Sequence, residues 1–243
     1  MLKICIDAEK QKLRHSILWL ASFLLPIIPT IYGTFNYQQN ISILTNEWYS
    51  MWTQTTLFYS IFFYAPLIAL YCSYLWRLEH LNHNWNVLMT APVPIRDIFL
   101  GKLVIILKIT LLTQIWAFLL YLICGKMIGL PGLPDMRIFL WACRGTLAAC
   151  AIGSLQLLLS MLIRSFAAPI GIALIGSIIG LLAVNIGSSM LWPYALMSVG
   201  MNSNRETDVL AGNPTPFLLG TLFYFLLFTG IGILLLKKRD VKA

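Results

Sequence analysis

Long apolar runs separated by short polar stretches dominate the chain, and six of them reach the length at which a helix crosses lipid. A helix rises about 1.5 Å per residue, so a hydrocarbon layer of roughly 30 Å needs about 20 apolar positions. The predicted spans are residues 16–34, 55–76, 109–128, 145–163, 166–184 and 217–236. The third run begins as early as Ile98 but is interrupted by Lys102 and Lys108. Between the second and third spans, Leu78, Leu81, Trp85, Leu88 and Met89 recur at three- and four-residue steps, which predicts one amphipathic helix over residues 77–90 that Pro92 and Pro94 end.

The fold class predicted is therefore an all-α integral membrane protein, a single transmembrane domain over residues 1–243 with no repeat, no low-complexity tract and no soluble second domain. Composition agrees: 59% of the 243 residues are hydrophobic and 11% charged, with a mean hydropathy of +0.80. That is more apolar side chain than a soluble core of this size buries, so lipid is the expected solvent.

The net charge of +8 gains meaning from where the cations lie. With the N-terminus in the cytosol, thirteen of the seventeen Lys and Arg residues fall inside, and only Lys126, Arg137, Arg144 and Arg205 fall outside. The positive-inside rule selects this orientation, with both termini cytosolic. Cations gathered at one membrane face do not form a nucleic-acid surface, and no nucleic-acid partner is expected. The segment before the first span carries Lys3, Lys10, Lys12 and Arg14 beside Asp7 and Glu9. It has the outline of a signal peptide but no small-residue cleavage site near Tyr32 and Gly33, and retention is expected.

Three connections differ in kind. Residues 35–54, expected outside, carry Trp48, Tyr49 and Trp52, which suit the headgroup layer; the sequon Asn40-Ile41-Ser42 there is too short to argue from. Residues 77–108, expected inside, form the longest polar stretch and the one place for extensive docking of a soluble partner. Residues 185–216 contain Trp192, Pro193 and Tyr194, which predict a short segment dipping toward the outer interface. Such backbone needs protein or water to cover it.

Apart from Lys126 near the outer end of the third, the predicted spans contain no Asp, Glu, Lys, Arg or His; Gln114, Gln156 and Asn185 are the most polar uncharged groups in them or at their ends. Ion-coupled carriers place ionisable groups at depth, so an external energy source is indicated. Intramembrane hydrolysis lacks its acid, base and nucleophile sets, and Gly187-Ser188-Ser189 has no histidine within a span. His80 and His83, three apart, would share a helix face but have no third ligand, and the five cysteines show no metal-binding spacing. Gly101-Lys102 and Gly125-Lys126 lack the upstream glycine and following hydroxyl of a phosphate-binding loop, so any ATP is hydrolysed by another polypeptide. No cofactor is expected on this chain.

Gly171, Gly176 and Gly180 recur at helix-packing distance, for contact within the chain or with a second copy. Pro26 and Pro29 should kink the first span and, with Gln114 and Gln156, are the candidate pathway residues.

An amphipathic N-terminal segment, WTQTTLFYSIFFYAPL leading into the second span, RLEHLNHNWNVLMTAPVPIRDIFLGKL after it, and the later LQLLLSMLIRSFAAPIG and LWPYALMS together resemble the permease subunits of ABC-2 exporters, and among them those of lantibiotic immunity and bacitracin resistance. The resemblance covers essentially the whole chain. It implies a six-helix half that pairs with itself or a sister permease in a bacterial cell membrane and binds a dimer of cytosolic ATPase subunits, which hold ATP and magnesium. Residues 1–14 then look like the connecting helix, and Glu79, Asn84, Trp85, Pro92 and Arg96 like the ATPase-coupling segment. The implied cargo is an amphiphilic antimicrobial peptide. A lipid or drug exporter of the same architecture, or an adaptor or sensor that transports nothing, is the alternative.

Overall fold

Hydrocarbon supplies no hydrogen-bond partner, so a chain this apolar must close its backbone bonds within each crossing segment. The computed structural model, which describes residues 1–81, 84–205 and 207–238, does so with helices throughout its described residues. α1 (Leu2–Lys12) precedes six helices long and apolar enough to cross a membrane: Leu18–Gln39, Glu47–His80, Ile95–Met127, Met136–Leu162, Ala168–Asn185 and Thr215–Lys237, here spans 1 to 6. A short α6 (Asn84–Thr90) joins spans 2 and 3, and α10 (Ala195–Gly200) lies between spans 5 and 6.

The number of spans matches the expectation; their ends do not. Counting apolar residues stops at the first charge, whereas the helices continue. Span 3 starts at Ile95 rather than residue 109, and span 4 at Met136 rather than 145. At 33 residues, span 3 is about 50 Å long and projects beyond the hydrocarbon layer. The added turns bring Lys102 and Arg144 into the protein, so the helices bury charged residues that the shorter predicted spans left outside.

Prolines decide the interruptions. Span 1 breaks into α2 (Leu18–Leu24) and α3 (Ile27–Gln39) at Pro26, whose carbonyl accepts a 2.8 Å bond from the Thr30 hydroxyl. Pro29 sits in the first turn of α3, where no helical bond needs its missing N–H, and makes no further break. Span 2 comprises α4 (Glu47–Phe58), a π-helical turn over Tyr59–Phe63 and α5 (Tyr64–His80). Pro66 follows that turn; it cannot donate to the Phe62 carbonyl and its ring crowds that oxygen, so the helix widens there.

The expected single amphipathic helix over residues 77–90 is two. α5 ends at His80, Leu81 is extended (φ −90°, ψ 151°), and α6 starts at Asn84. Pro94 caps α7 (Ile95–Met127), which is span 3.

Spans 2 and 4 form the centre and span 6 the periphery: 67% of the most apolar window is buried in each of the first two and 11% in the last. Polar side chains knit the centre. Tyr64 donates to the Thr110 carbonyl (2.9 Å), Tyr71 meets Thr113 (2.9 Å) and Ser73 meets Ser160 (3.3 Å), bonds that hold well where water is excluded. Gly33 lets span 1 lie against span 2, since a Cβ there would sit 2.4 Å from Thr55 Cα. Beside it, Asn36 donates to Gln54 (2.8 Å).

α10 is buried from Ala195 to Gly200 and packs on α8 (Met136–Leu162) and α9 (Ala168–Asn185), spans 4 and 5. The segment expected to dip around Trp192-Pro193-Tyr194 leads into this short helix, which protein covers, as backbone at such depth would require.

Candidate functional site

α1 lies along span 3, and Gly101 permits the approach: a Cβ there would come 2.9 Å from Cys5 Cβ. The approach carries Glu9 inward, where it joins the last turn of α5 and the start of α7. Lys102, with no exposed surface, donates to Glu9 Oε1 (2.9 Å), Glu79 Oε1 (2.8 Å) and the Leu75 carbonyl (3.3 Å). Its ammonium has three N–H groups, so all are used. It also lies 4.9 Å from the centre of the Trp76 ring, a cation–π contact.

Lys12 completes the cluster by donating to the same oxygens, Glu9 Oε1 (2.8 Å) and Glu79 Oε1. Two carboxylates and two ammoniums cancel, the condition under which charges are held away from water. Burial lowers the affinity of Lys12 for its proton, but Glu9 and Glu79 outweigh that and leave its pKa above the ordinary value. The cluster fastens the N-terminal helix, span 2 and span 3 into one block.

The expected coupling residues surround this block. Glu79, read as available to a partner, has its carboxylate turned inward onto Lys102 and Lys12. Trp85 stacks on His80 (centroids 5.8 Å apart, planes at 4°) and stands 5.8 Å from Trp76, whose ring faces Lys102. An aromatic chain therefore runs from α6 to the buried ammonium. Asn84 donates to the Leu78 carbonyl (2.9 Å), closing an orphan acceptor at the end of α5. Pro92 and Arg96 are exposed, Arg96 beside Asp97 at 3.4 Å. His80 also meets the Ser160 carbonyl (3.1 Å); His83, its expected companion, lies outside the described residues.

The other expected residues lie away from this end. Gly176 and Gly180 pack within the chain: a Cβ on Gly176 would meet the Tyr194 ring at 2.6 Å, and one on Gly180 the Ala195 nitrogen at 3.0 Å. Gly171 has nothing within 4 Å of such an atom. Gln156 donates to the Tyr194 hydroxyl (2.6 Å) and Trp192 to the Gly176 carbonyl (2.7 Å), which pins the segment leading into α10 to spans 4 and 5. Gln114 donates to the Ala142 carbonyl at 3.4 Å.

Sequence reasoning missed Glu9, Lys12 and Lys102 as a unit. The signal present was a Glu9–Lys12 pair three residues apart and a lysine inside an apolar run. It missed likewise Arg144, which grips both oxygens of Asp208 at 3.0 Å at the far end of the bundle.

Comparison with models of known protein families matches residues 5–180 to the ABC-2 family transporter protein model. No curated protein and no solved structure matches the chain. The matched stretch contains most of α1 and all of spans 2 and 3, hence every member of the four-charge cluster.

Proposed function

The chain belongs to the ABC-2 family of transporter proteins, a multi-pass membrane family whose members work with an ATPase, and from that premise we propose that it is the membrane-spanning subunit of an exporter driven by ATPase subunits docked at the α1 end. The observation that carries this reading is the block made by Glu9, Lys12, Glu79 and Lys102, since it joins a surface helix to two crossing helices.

A partner pressing on α6 and the Pro92–Arg96 turn moves Trp85, and through His80 stacked on it and the neighbouring Trp76 the force reaches Lys102. Taking one member from a buried ion cluster costs about 3–5 kcal/mol, so the block moves as a unit rather than opening. ATP binding closes the partner subunits, with magnesium held there, and their differential contact with two permease conformations changes access across the membrane. The distribution of cations supports a cytosolic side for both termini and α6. Two such chains, identical or sister subunits, complete the exporter.

For cargo, the resemblance to lantibiotic-immunity permeases favours an amphiphilic antimicrobial peptide expelled for self-protection. Export of a lipid-like amphiphile is a second reading, favoured by a half-polar, half-apolar cavity at the far end. The test is to extract the tagged chain in mild detergent and identify what co-purifies. A cytosolic ATPase in near-equal amount is expected; its absence under conditions that preserve other exporters would overturn the proposal.

A further inference from the structure

The far end holds a cavity of about 250 Å³ between the π turn of span 2, the end of span 5 and the segment that follows α10. One wall is apolar: Leu57, Ile61, Leu181 and Val184. The other carries Ser198, Ser203, Asn204 and Arg205, with Asn185 beside them. Among the described residues no carboxylate lines it; Glu206 lies outside them. The volume is below the roughly 300–1,000 Å³ of a site enclosing a whole small ligand, and suits a headgroup with its tail outside.

Hydrogen-bond counting shows what the polar wall lacks. Ser60, placed by the π turn and 1% exposed, contacts Ser198 (3.1 Å) and Ser203 (3.3 Å), themselves at least nine-tenths buried. Three hydroxyls carry three protons, and two mutual contacts use two. One O–H is left to donate, and two of the three hydroxyl residues line the cavity. Arg205 spends one long bond on the Val184 carbonyl (3.5 Å), leaving most of its five donors for other acceptors. Its backbone is held in place, since its carbonyl accepts from the Tyr49 hydroxyl (2.8 Å).

The chain bends to bring these groups together. Asn202 and Asn204 have φ of +52° and +50°, a region non-glycine residues seldom occupy. Both are fixed there: Asn202 donates to Tyr49 (3.2 Å), and the Asn204 amide donates to the Thr53 carbonyl (3.3 Å). Strain of this kind persists where surrounding bonds over-determine it, and it gathers at ligand sites.

We infer that this cavity binds the anionic oxygen-rich headgroup of an amphiphile, with Arg205 and the serine hydroxyls donating to the head and the Leu57–Val184 wall receiving the start of the tail. From the exporter reading it takes only the placement of this end at the outer leaflet. A chain that brings down no ATPase would defeat that reading and leave headgroup binding standing.

The test uses the purified full chain in detergent, titrated below micelle-forming concentrations with dihexanoyl-phosphatidylglycerol, dihexanoyl-phosphatidylcholine and inorganic phosphate, binding being read from tryptophan fluorescence. Phosphatidylglycerol should bind more tightly than either other probe. Arg205→Gln should weaken it by about tenfold, the loss of one charge-assisted hydrogen bond, and Ser203→Ala should weaken it in the same sense should Arg205→Gln fail to fold. Equal affinity for the two lipids overturns the inference, as does wild-type affinity in the variants. Phosphate binding as tightly as phosphatidylglycerol would make the ligand a free ion and overturn it too.

Discussion

Lys102 Nζ lies 2.9 Å from Glu9 Oε1, although 93 residues separate the two. One is in the N-terminal surface helix and the other in a crossing helix, so their bond sets where that helix sits on the bundle. Glu79 accepts from the same ammonium at 2.8 Å, which makes Lys102 the centre of the block.

Lys102→Met keeps most of the side-chain volume but leaves two buried carboxylates to Lys12 alone. Stability should fall by about 3–5 kcal/mol, seen as a lower unfolding midpoint in detergent. Adding Glu9→Gln and Glu79→Gln to it should recover much of the loss, because the penalty comes from unpaired charge rather than missing bonds.

Glycines separate close packing from open surface. Gly33→Ala sets a Cβ 2.4 Å from Thr55 Cα, backbone that cannot turn aside, and should cost about 1–3 kcal/mol as spans 1 and 2 part. Gly180→Ala should destabilise in the same way against Ala195. Gly171→Ala meets nothing and should be neutral or raise the midpoint, since alanine is the better helix former by up to about 1 kcal/mol. Thermal unfolding of the three variants checks the order.

The Gln156–Tyr194 bond should emerge from a double-mutant cycle. Tyr194→Phe or Gln156→Leu alone strands a buried partner and should cost about 1–3 kcal/mol, whereas both together should cost less than the sum. Additive losses would show that the segment leading into α10 is held by packing alone.

Asp208 gives the far end a pH dependence. Burial pushes its pKa up, but hydrogen bonds, among them those from the Leu210 amide and Arg144, together with the Arg144 charge, outweigh that and hold it below its ordinary 3.8. A lowered folded-state pKa contributes stability fully present above the ordinary value and lost as pH falls through the lowered one. Asp208→Asn should therefore be less stable than the parent at neutral pH, with the gap closing once the medium is more acidic than 3.8. Unfolding midpoints across that range measure it.

The number of apolar helices long enough to cross and the presence of a distinct short segment after span 5 were legible because each is written locally, as a run of apolar residues or a Trp-Pro-Tyr triplet. The helix ends were not. Lys102 and Arg144 read as interface markers until their acids, Glu9, Glu79 and Asp208, arrive from distant segments, and no periodicity encodes that meeting. Glu79 was found but read as facing a partner, since an amphipathic pattern does not distinguish a solvated carboxylate from one paired inward. The Ser60 turn had a visible cause in Pro66, whereas its partners, Ser198 and Ser203, become meaningful only through the fold.

The central claim is that α1 moves with spans 2 and 3 as one block. Gly101→Cys places a thiol against native Cys5, so oxidation, verified by the mass of the linked peptides, ties α1 to span 3 after the two backbones part by roughly 1 Å. ATP hydrolysis by the purified assembly in lipid vesicles, with Cys143 replaced by serine, is then compared before and after oxidation. Equal turnover in both states is the predicted result. Turnover that falls on oxidation and returns on reduction would mean that α1 slides over span 3 in each cycle, contradicting the account.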